Sequence, residues 1–259
     1  MMRRAGGTQM SRALRAEWTK LRTVASTGWL LLGVVLVTVA VSAGADAADV
    51  CTSSAGCHPD VTRLSFTGTD VGQAVVAIVA VLAVTAEYGT GMIRTTLAAV
   101  PRRTAVLAAK AAVVGGLTLA AGAVAVLGSV LAGELILPGH GLTPPGGPML
   151  RAALGTVLYL TLIALLSLGV ATAVRDSAVA VGVVLGLLYI FPILGLVVSS
   201  PPWQRHLQQL GPMTAGLEIQ ASAGLRHLPI GPWAGLGVLA AWAAAALLGG
   251  GLLLCLRDA

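Results

Sequence analysis

The chain has 259 residues, 56% of them hydrophobic and only 10% charged, with a net charge of +6 and a mean hydropathy of +0.89. Soluble domains carry about 25% charged residues, so this composition excludes an ordinary soluble enzyme and indicates a polytopic membrane protein. The basic excess is not interleaved with aromatics, which argues against nucleic acid as a partner and for basic loops on one side of a membrane.

Residues 1–10 read as a disordered tail, and Met1, Met2 and Met10 are all candidate starts. Residues 11–259 read as a single transmembrane domain. From Ser11 to Ala25, the residues Leu14, Trp18, Leu21 and Ala25 recur at helical spacing and share one face. Arg12, Arg15, Lys20 and Arg22 occupy the other faces. The pattern predicts an amphipathic interfacial helix over 11–25 with Trp18 at headgroup level. The alternative is a cytosolic extension of the first span. A cleaved signal peptide is disfavoured, because the basic region runs for about 27 residues and further spans follow.

A helix needs roughly 20 apolar residues to cross the hydrocarbon. Six stretches fit: 28–45, 68–86, 111–132, 150–174, 178–198 and 233–256. The second is the shortest in apolar length, and Tyr88 is the alternative to Ala86 as its end. A span must satisfy its own backbone, so the predicted fold class is all-α, a polytopic integral membrane protein. With the N-terminus inside, Arg3, Arg4, Arg12, Arg15, Lys20, Arg22, Arg94, Arg102, Arg103, Lys110, Arg175 and Arg257 lie on the inner side. Only Arg63, Arg151, Arg205 and Arg226 lie outside. That bias predicts both termini in the cytoplasm.

The outer loops are then 46–67, 133–149 and 199–232. The first contains Cys51 and Cys57. A disulfide ranks first there, free thiols second, and a metal site with Asp46, Asp49, His58 and Asp60 third, since the spacing matches no standard zinc pattern. Cys255, in the last span, reads as packing. His206 and His227 have no constellation around them and read as solvent-facing. The segments PPWQRHLQQL and GPMTAGLEIQASAGL of the third loop have short-helix character at the outer leaflet.

Between the second and third spans lies EYGTGMIRTTLAAVPRR, residues 87–103. Gly91 to Val100 reads as a short helix, with Ile93, Leu97 and Val100 on one face and Arg94 on another. Thr90 is the expected cap, Gly89 and Gly91 permit a sharp turn, and Pro101 stops the helix. Glu87, Arg102, Arg103 and Lys110 flank it. An apolar ridge with basic flanks suits docking into a groove on a cytosolic partner. A basic turn resting on headgroups accounts for the same residues.

Several chemistries are missing from the sequence. It contains no H-E-x-x-H. Lys20 and Lys110 are the only lysines, and neither follows a glycine, so no Walker A loop is present. No acid–base pair stands at bilayer depth in the assigned spans, which disfavours an intramembrane protease, a proton-coupled carrier or an ion pump. The polar residues inside the spans are mild ones, among them Thr38, Ser42, Gln73, Tyr159 and Tyr189. A conduit lined by these suits an apolar or amphipathic substrate. Gly182 and Gly186 form a G-x-x-x-G in the fifth span, where the default reading is packing within the bundle. Pro192 deletes a backbone bond there and predicts a kink.

The order of these features resembles that of an ABC-2 type transporter permease, the membrane subunit of an ABC exporter. The loop resembles the family's run of Glu, Gly-x-Ile, Leu, Pro/Arg and Lys, here Glu87, Gly91, Ile93, Leu97, Pro101, Arg102 and Lys110. Met92 departs from it, where threonine is common. RAEWTKLRT is similar to the family's N-terminal helix, LGPMTAG to the segment before the last span, and the C-terminal 29 residues to that span and its tail.

The resemblance implies a bacterial plasma-membrane protein that spans the bilayer several times and is no enzyme itself. It implies pairing with a second permease chain, identical or different. It also implies a separate cytosolic ATPase subunit that carries the ATP and Mg, with no cofactor on this chain. The ATPase-docking loop would be Glu87, Gly91, Ile93, Arg94, Leu97, Val100, Arg102 and Arg103. The first, second and fifth spans would line the route, which places Thr38, Ser42, Gln73, Tyr189 and Pro192 near substrate. The competing reading is a membrane-bound immunity or interaction protein that sequesters a toxic peptide without transport. An intramembrane enzyme lacks any acid, base or metal cluster to work with.

Overall fold

The computed structural model describes residues 14–19, 25–48, 60–99, 102–136 and 147–256. In chain order the helices are α1 (14–19), α2 (Ala25–Ala48), α3 (Val61–Ser65), α4 (Thr69–Gly89) and α5 (Met92–Ala99). There follow α6 (Arg103–Ile136), α7 (Gly147–Val174), α8 (Ser177–Val197), α9 (Pro201–Leu210), α10 (Pro212–Leu217) and α11 (Pro232–Leu256). Short 3₁₀ turns at Glu218–Gln220 and Leu225–His227 lie between α10 and α11. Among the described residues there is no strand, and six helices are long and apolar enough to cross a bilayer: α2, α4, α6, α7, α8 and α11. The all-α polytopic class read from composition is therefore the observed one.

The helices outrun the apolar windows. The second span continues to Gly89, and the third begins at Arg103 rather than Ala111. With 34 residues at about 1.5 Å each, α6 is longer than the roughly 30 Å hydrocarbon layer. Polar residues therefore lie inside continuous helices: Asp46 in α2, Asp70 and Glu87 in α4, Lys110 in α6. Counting hydropathy alone ends a span at such residues. A helix continues through them when neighbouring helices supply partners, as the Ser65 hydroxyl does for Asp46 Oδ1 at 3.3 Å.

Six crossings return the chain to the side it started from. One end of the bundle, the terminal face, gathers α1, α5, the α7–α8 turn and the end of α11. The other, opposite face carries α3, α9, α10 and the 3₁₀ turns. α7 is the central helix and packs against α11, α4, α6 and α8. Its Tyr159, Leu160, Ile163, Ala164 and Ala171 are wholly buried. Lipid tails are as apolar as leucine, so helices in a bilayer associate through close packing rather than hydrophobic exclusion. α7 and α11 cross closely, backbone to backbone. A Cβ on Gly169 would lie 2.4 Å from the carbonyl carbon of Ala246, and one on Gly250 would lie 2.4 Å from Gly169 O. The G-x-x-x-G of α8 plays no such part, because a Cβ on Gly182 or Gly186 would meet nothing within 4 Å. Pro192 sits inside α8, which continues as a helix to Val197.

The surface away from the core is apolar, with Leu36, Val124, Leu127, Ile193 and Leu252 all exposed. Trp29 near the start of α2, and Trp203 and Trp233 on the opposite face, are more than half exposed. Tryptophans near both ends of the spans fit the two interfacial levels of a bilayer.

Candidate functional site

The turn from α4 into α5 is set by Thr90 and Gly91. The Thr90 N–H reaches Ala86 O and Tyr88 O, and its hydroxyl donates to Ala86 O at 2.8 Å. Gly91 has φ +70°, a left-handed conformation that only glycine adopts without steric cost. The chain thus reverses within two residues. Thr90 was the expected cap of α5, but its hydroxyl closes α4 instead, since threonine can bond back to the carbonyl four residues earlier.

Along α5, Met92, Arg94, Thr95 and Ala98 are exposed, while Ile93 is 7% exposed. This corrects the predicted outward ridge at its first member. α5 lies against α4 and α6, so its apolar position turns toward the bundle and its neighbours face out. The Leu97 side chain, and Val100 and Pro101 entirely, lie outside the described residues.

A buried charge hub stands behind α5. Lys110 Nζ lies 2.9 Å from Glu17 Oε2 and 2.9 Å from Glu87 Oε1, and donates to Ala83 O at 3.3 Å. All three charged side chains are buried. Burial of ions is tolerated when charges pair and donors are satisfied, and here the ammonium has an acceptor for each of its three protons. α1 enters through the same contact. Its Leu14 packs beside Val106 and Ala109 of α6, and its Trp18 is half exposed. Leu21 lies outside the described residues. The sequence places Leu14, Trp18 and Leu21 on one apolar face; among the described residues of α1 the buried one is Glu17. Residues 14 and 17 are neighbours on a helix as 14 and 18 are, and the lysine on α6 draws Glu17 inward.

The loop's basic residues divide in two. Arg103 donates from Nη1 to Leu254 O at 2.7 Å, a cation at the carbonyl-rich end of α11. Arg94 and Arg102 are exposed. Nearby, the α7–α8 turn holds Arg175 at φ 67°, its guanidinium 5.3 Å from the centre of the Tyr88 ring. Asp176 caps α8, accepting from Val179 N–H at 2.9 Å.

The residues expected along a conduit fall in two seams. Thr38 and Ser42 face α4, where Ser42 Oγ accepts from Gly68 N–H at 3.1 Å. A Cβ on Gly68 would lie 1.9 Å from Thr38 O. Gln73 is wholly buried; it accepts from the Tyr159 hydroxyl, and its amide donates to Asp70 O at 3.1 Å. The half-buried Tyr189 donates to Asp70 O at 2.6 Å. Pro192 is half-buried on the same helix as Tyr189. These residues meet other parts of the chain in this arrangement.

On the opposite face, Asp60 caps α3 and reaches across 162 positions of sequence. It accepts from Ser222 N–H at 2.6 Å, from Ala223 N–H at 2.9 Å, and from the Ser222 hydroxyl. Burial pushes the Asp60 carboxyl up, but the bonds from Ser222, Ala223 and Arg63 outweigh it and hold the pKa below its usual value. Burial raises the pKa of Glu218, against the opposing pull of Arg63 3.8 Å away. Arg151 donates to Ala221 O. Nothing in the sequence pairs Asp60 with Ser222, because neither lies in a periodic segment that reveals its neighbour. His206 and His227 are exposed. Cys51 and Cys57 lie outside the described residues, and among the described residues no three His, Cys, Asp or Glu side chains gather as a metal site.

Six apolar spans, with a short helix folded under one face and a buried ion cluster behind it, mark a multi-pass membrane protein. The profile of the ABC-2 family transporter proteins matches residues 13–193, from the edge of α1 into α8, and so contains α5 and all three hub residues. The chain belongs to that family, as a membrane component of an ABC transporter. A comparison with curated proteins gave no match.

Proposed function

We propose that this chain is an export permease of the bacterial plasma membrane, with both termini in the cytoplasm, and that α5 is its docking helix for a separate ABC ATPase. ATP and Mg bind to that subunit, and this chain supplies the path and the mechanical contact. The single observation that carries the reading is the placement of α5. It is folded under the terminal face by a two-residue turn, braced against α4 and α6, with Met92, Arg94 and Thr95 exposed. The basic bias puts that face in the cytoplasm. Two permease chains pair, and α2, α4 and α8 line the route. Thr38, Ser42, Gln73, Tyr189 and Pro192 reach an apolar or amphipathic substrate when those helices part.

The test is co-purification with the ATPase encoded beside the permease. Met92→Asp combined with Arg94→Glu leaves the permease in the membrane and removes the ATPase. Full retention of the ATPase by this double variant overturns the docking role. Ile93→Asp serves as the contrast, since it strikes the buried side of α5 and lowers permease yield as well.

A further inference from the structure

Lys110 joins three elements that are distant in sequence. It stands in the second turn of α6, Glu87 in the last turn of α4, and Glu17 on α1. α5 hangs between the two helices that Lys110 and Glu87 connect, and α1 is bound to the same ammonium. Joining α4 to α6 requires Glu87 alone; Glu17 is what brings α1 into the contact. The contact of Leu14 with Val106 and Ala109 is apolar and non-directional, so it seats α1 on α6 without fixing its position along that helix. A buried ion pair at 2.9 Å resists separation far more steeply, because opposite charges attract strongly where water is excluded.

We infer that Lys110 is a positioning residue that carries displacement of α5 to α1 through the Glu87–Lys110–Glu17 contact, a reading that rests on α5 being the docking helix. Leu14 gives α1 a seat on α6, and Glu17 provides the directional link.

The experiment uses the permease–ATPase complex in lipid nanodiscs, with Cys51, Cys57 and Cys255 replaced by Ser. Spin labels at Arg15→Cys on α1 and at the exposed Glu134→Cys on α6 report one distance. A second pair, Met92→Cys with Glu134→Cys, reports α5. Each distance is measured without nucleotide and with ATP plus vanadate. Both distances shift in the parent protein and in Lys110→Arg. In Glu17→Gln, whose amide still accepts a hydrogen bond from the lysine, the α1 shift is reduced. In Glu17→Met, which leaves the Lys110–Glu87 pair intact, the α1 shift is lost while the α5 shift persists. An α1 shift that survives Glu17→Met overturns the inference while leaving the docking role standing. An α5 that ignores ATP in the parent complex overturns the docking role and the inference with it.

Discussion

Lys110 of α6 and Glu87 of α4 face each other across 2.9 Å inside the bundle, and Glu17 of α1 approaches the same nitrogen equally closely. Lys110→Met strands two buried carboxylates. Loss of one partner from a buried ion pair costs about 3–5 kcal/mol, so this variant melts well below the parent in detergent. Glu17→Gln costs about 1 kcal/mol, because the lysine keeps Glu87 and a neutral acceptor remains. Equal melting temperatures for Lys110→Met and the parent would show that the hub contributes nothing to stability.

Gly169 and Gly250 set how closely α7 approaches α11. Gly169→Ala places a methyl group where backbone atoms of Ala246 and Leu247 already stand, and the helices must separate. The expected cost is about 1–3 kcal/mol, seen as a smaller monodisperse fraction on size exclusion and a lower melting temperature. Gly182→Ala and Gly186→Ala have open space around them and leave the isolated chain's melting unchanged. A similar loss at all three positions would contradict the packing described.

Tyr159 and Gln73 are both wholly buried, and the tyrosine hydroxyl donates to the amide oxygen. Interhelical hydrogen bonds in membranes average about 0.6 kcal/mol and reach about 1.7 kcal/mol in double-mutant cycles. The cycle built from Tyr159→Phe and Gln73→Leu should return a coupling near the upper end, because Gln73 also ties to Asp70 and faces Tyr189. Strict additivity of the two substitutions would remove the network from the account.

Asp60 holds the segment at Ser222 and Ala223 to the start of α3. Its pKa is lower in the folded chain than its ordinary value of about 3.9. The stability it contributes is therefore present above that ordinary value and is lost as pH falls through the folded one. Glu218 has the opposite sign. Its folded pKa is raised, so its contribution grows as pH falls from the raised value toward the ordinary one. The melting-temperature gap between the parent and Asp60→Asn should be widest above the ordinary carboxylate value of about 3.9 and shrink as pH falls below it. Hydrogen exchange at neutral pH should show the Ser222 and Ala223 amides losing protection in Asp60→Asn. A gap that stays constant with pH would mean that the carboxylate charge is not what holds the segment.

Topology is tested by labelling. Thr95→Cys, on the exposed side of α5, should resist a membrane-impermeant maleimide added to intact cells and react once the cells are opened. Arg226→Cys, in the exposed 3₁₀ turn of the opposite face, should behave in reverse. Labelling of Thr95→Cys from outside would invert the protein and place α5 beyond the reach of any cytosolic ATPase.

The sequence by itself determined the spans, their all-helical character and the short helix between the second and third of them. Long apolar runs leave a backbone no other way to satisfy its hydrogen bonds in lipid, and Gly91 turns the chain at its left-handed φ whatever surrounds it. Tertiary structure decided which side chains of those helices matter. Thr38, Ser42 and Gln73 were legible as polar residues within spans, but their partners Gly68 and Tyr159 come from other helices. Nothing in the sequence singles out Glu17; Lys110 opposite it does. Ile93 looked outward until α4 and α6 were in place. Periodicity reports that a face exists. Whether that face turns to lipid, to water or to another helix is set by what packs against it, and a helix facing lipid is as apolar as one facing protein, so hydropathy cannot separate the two.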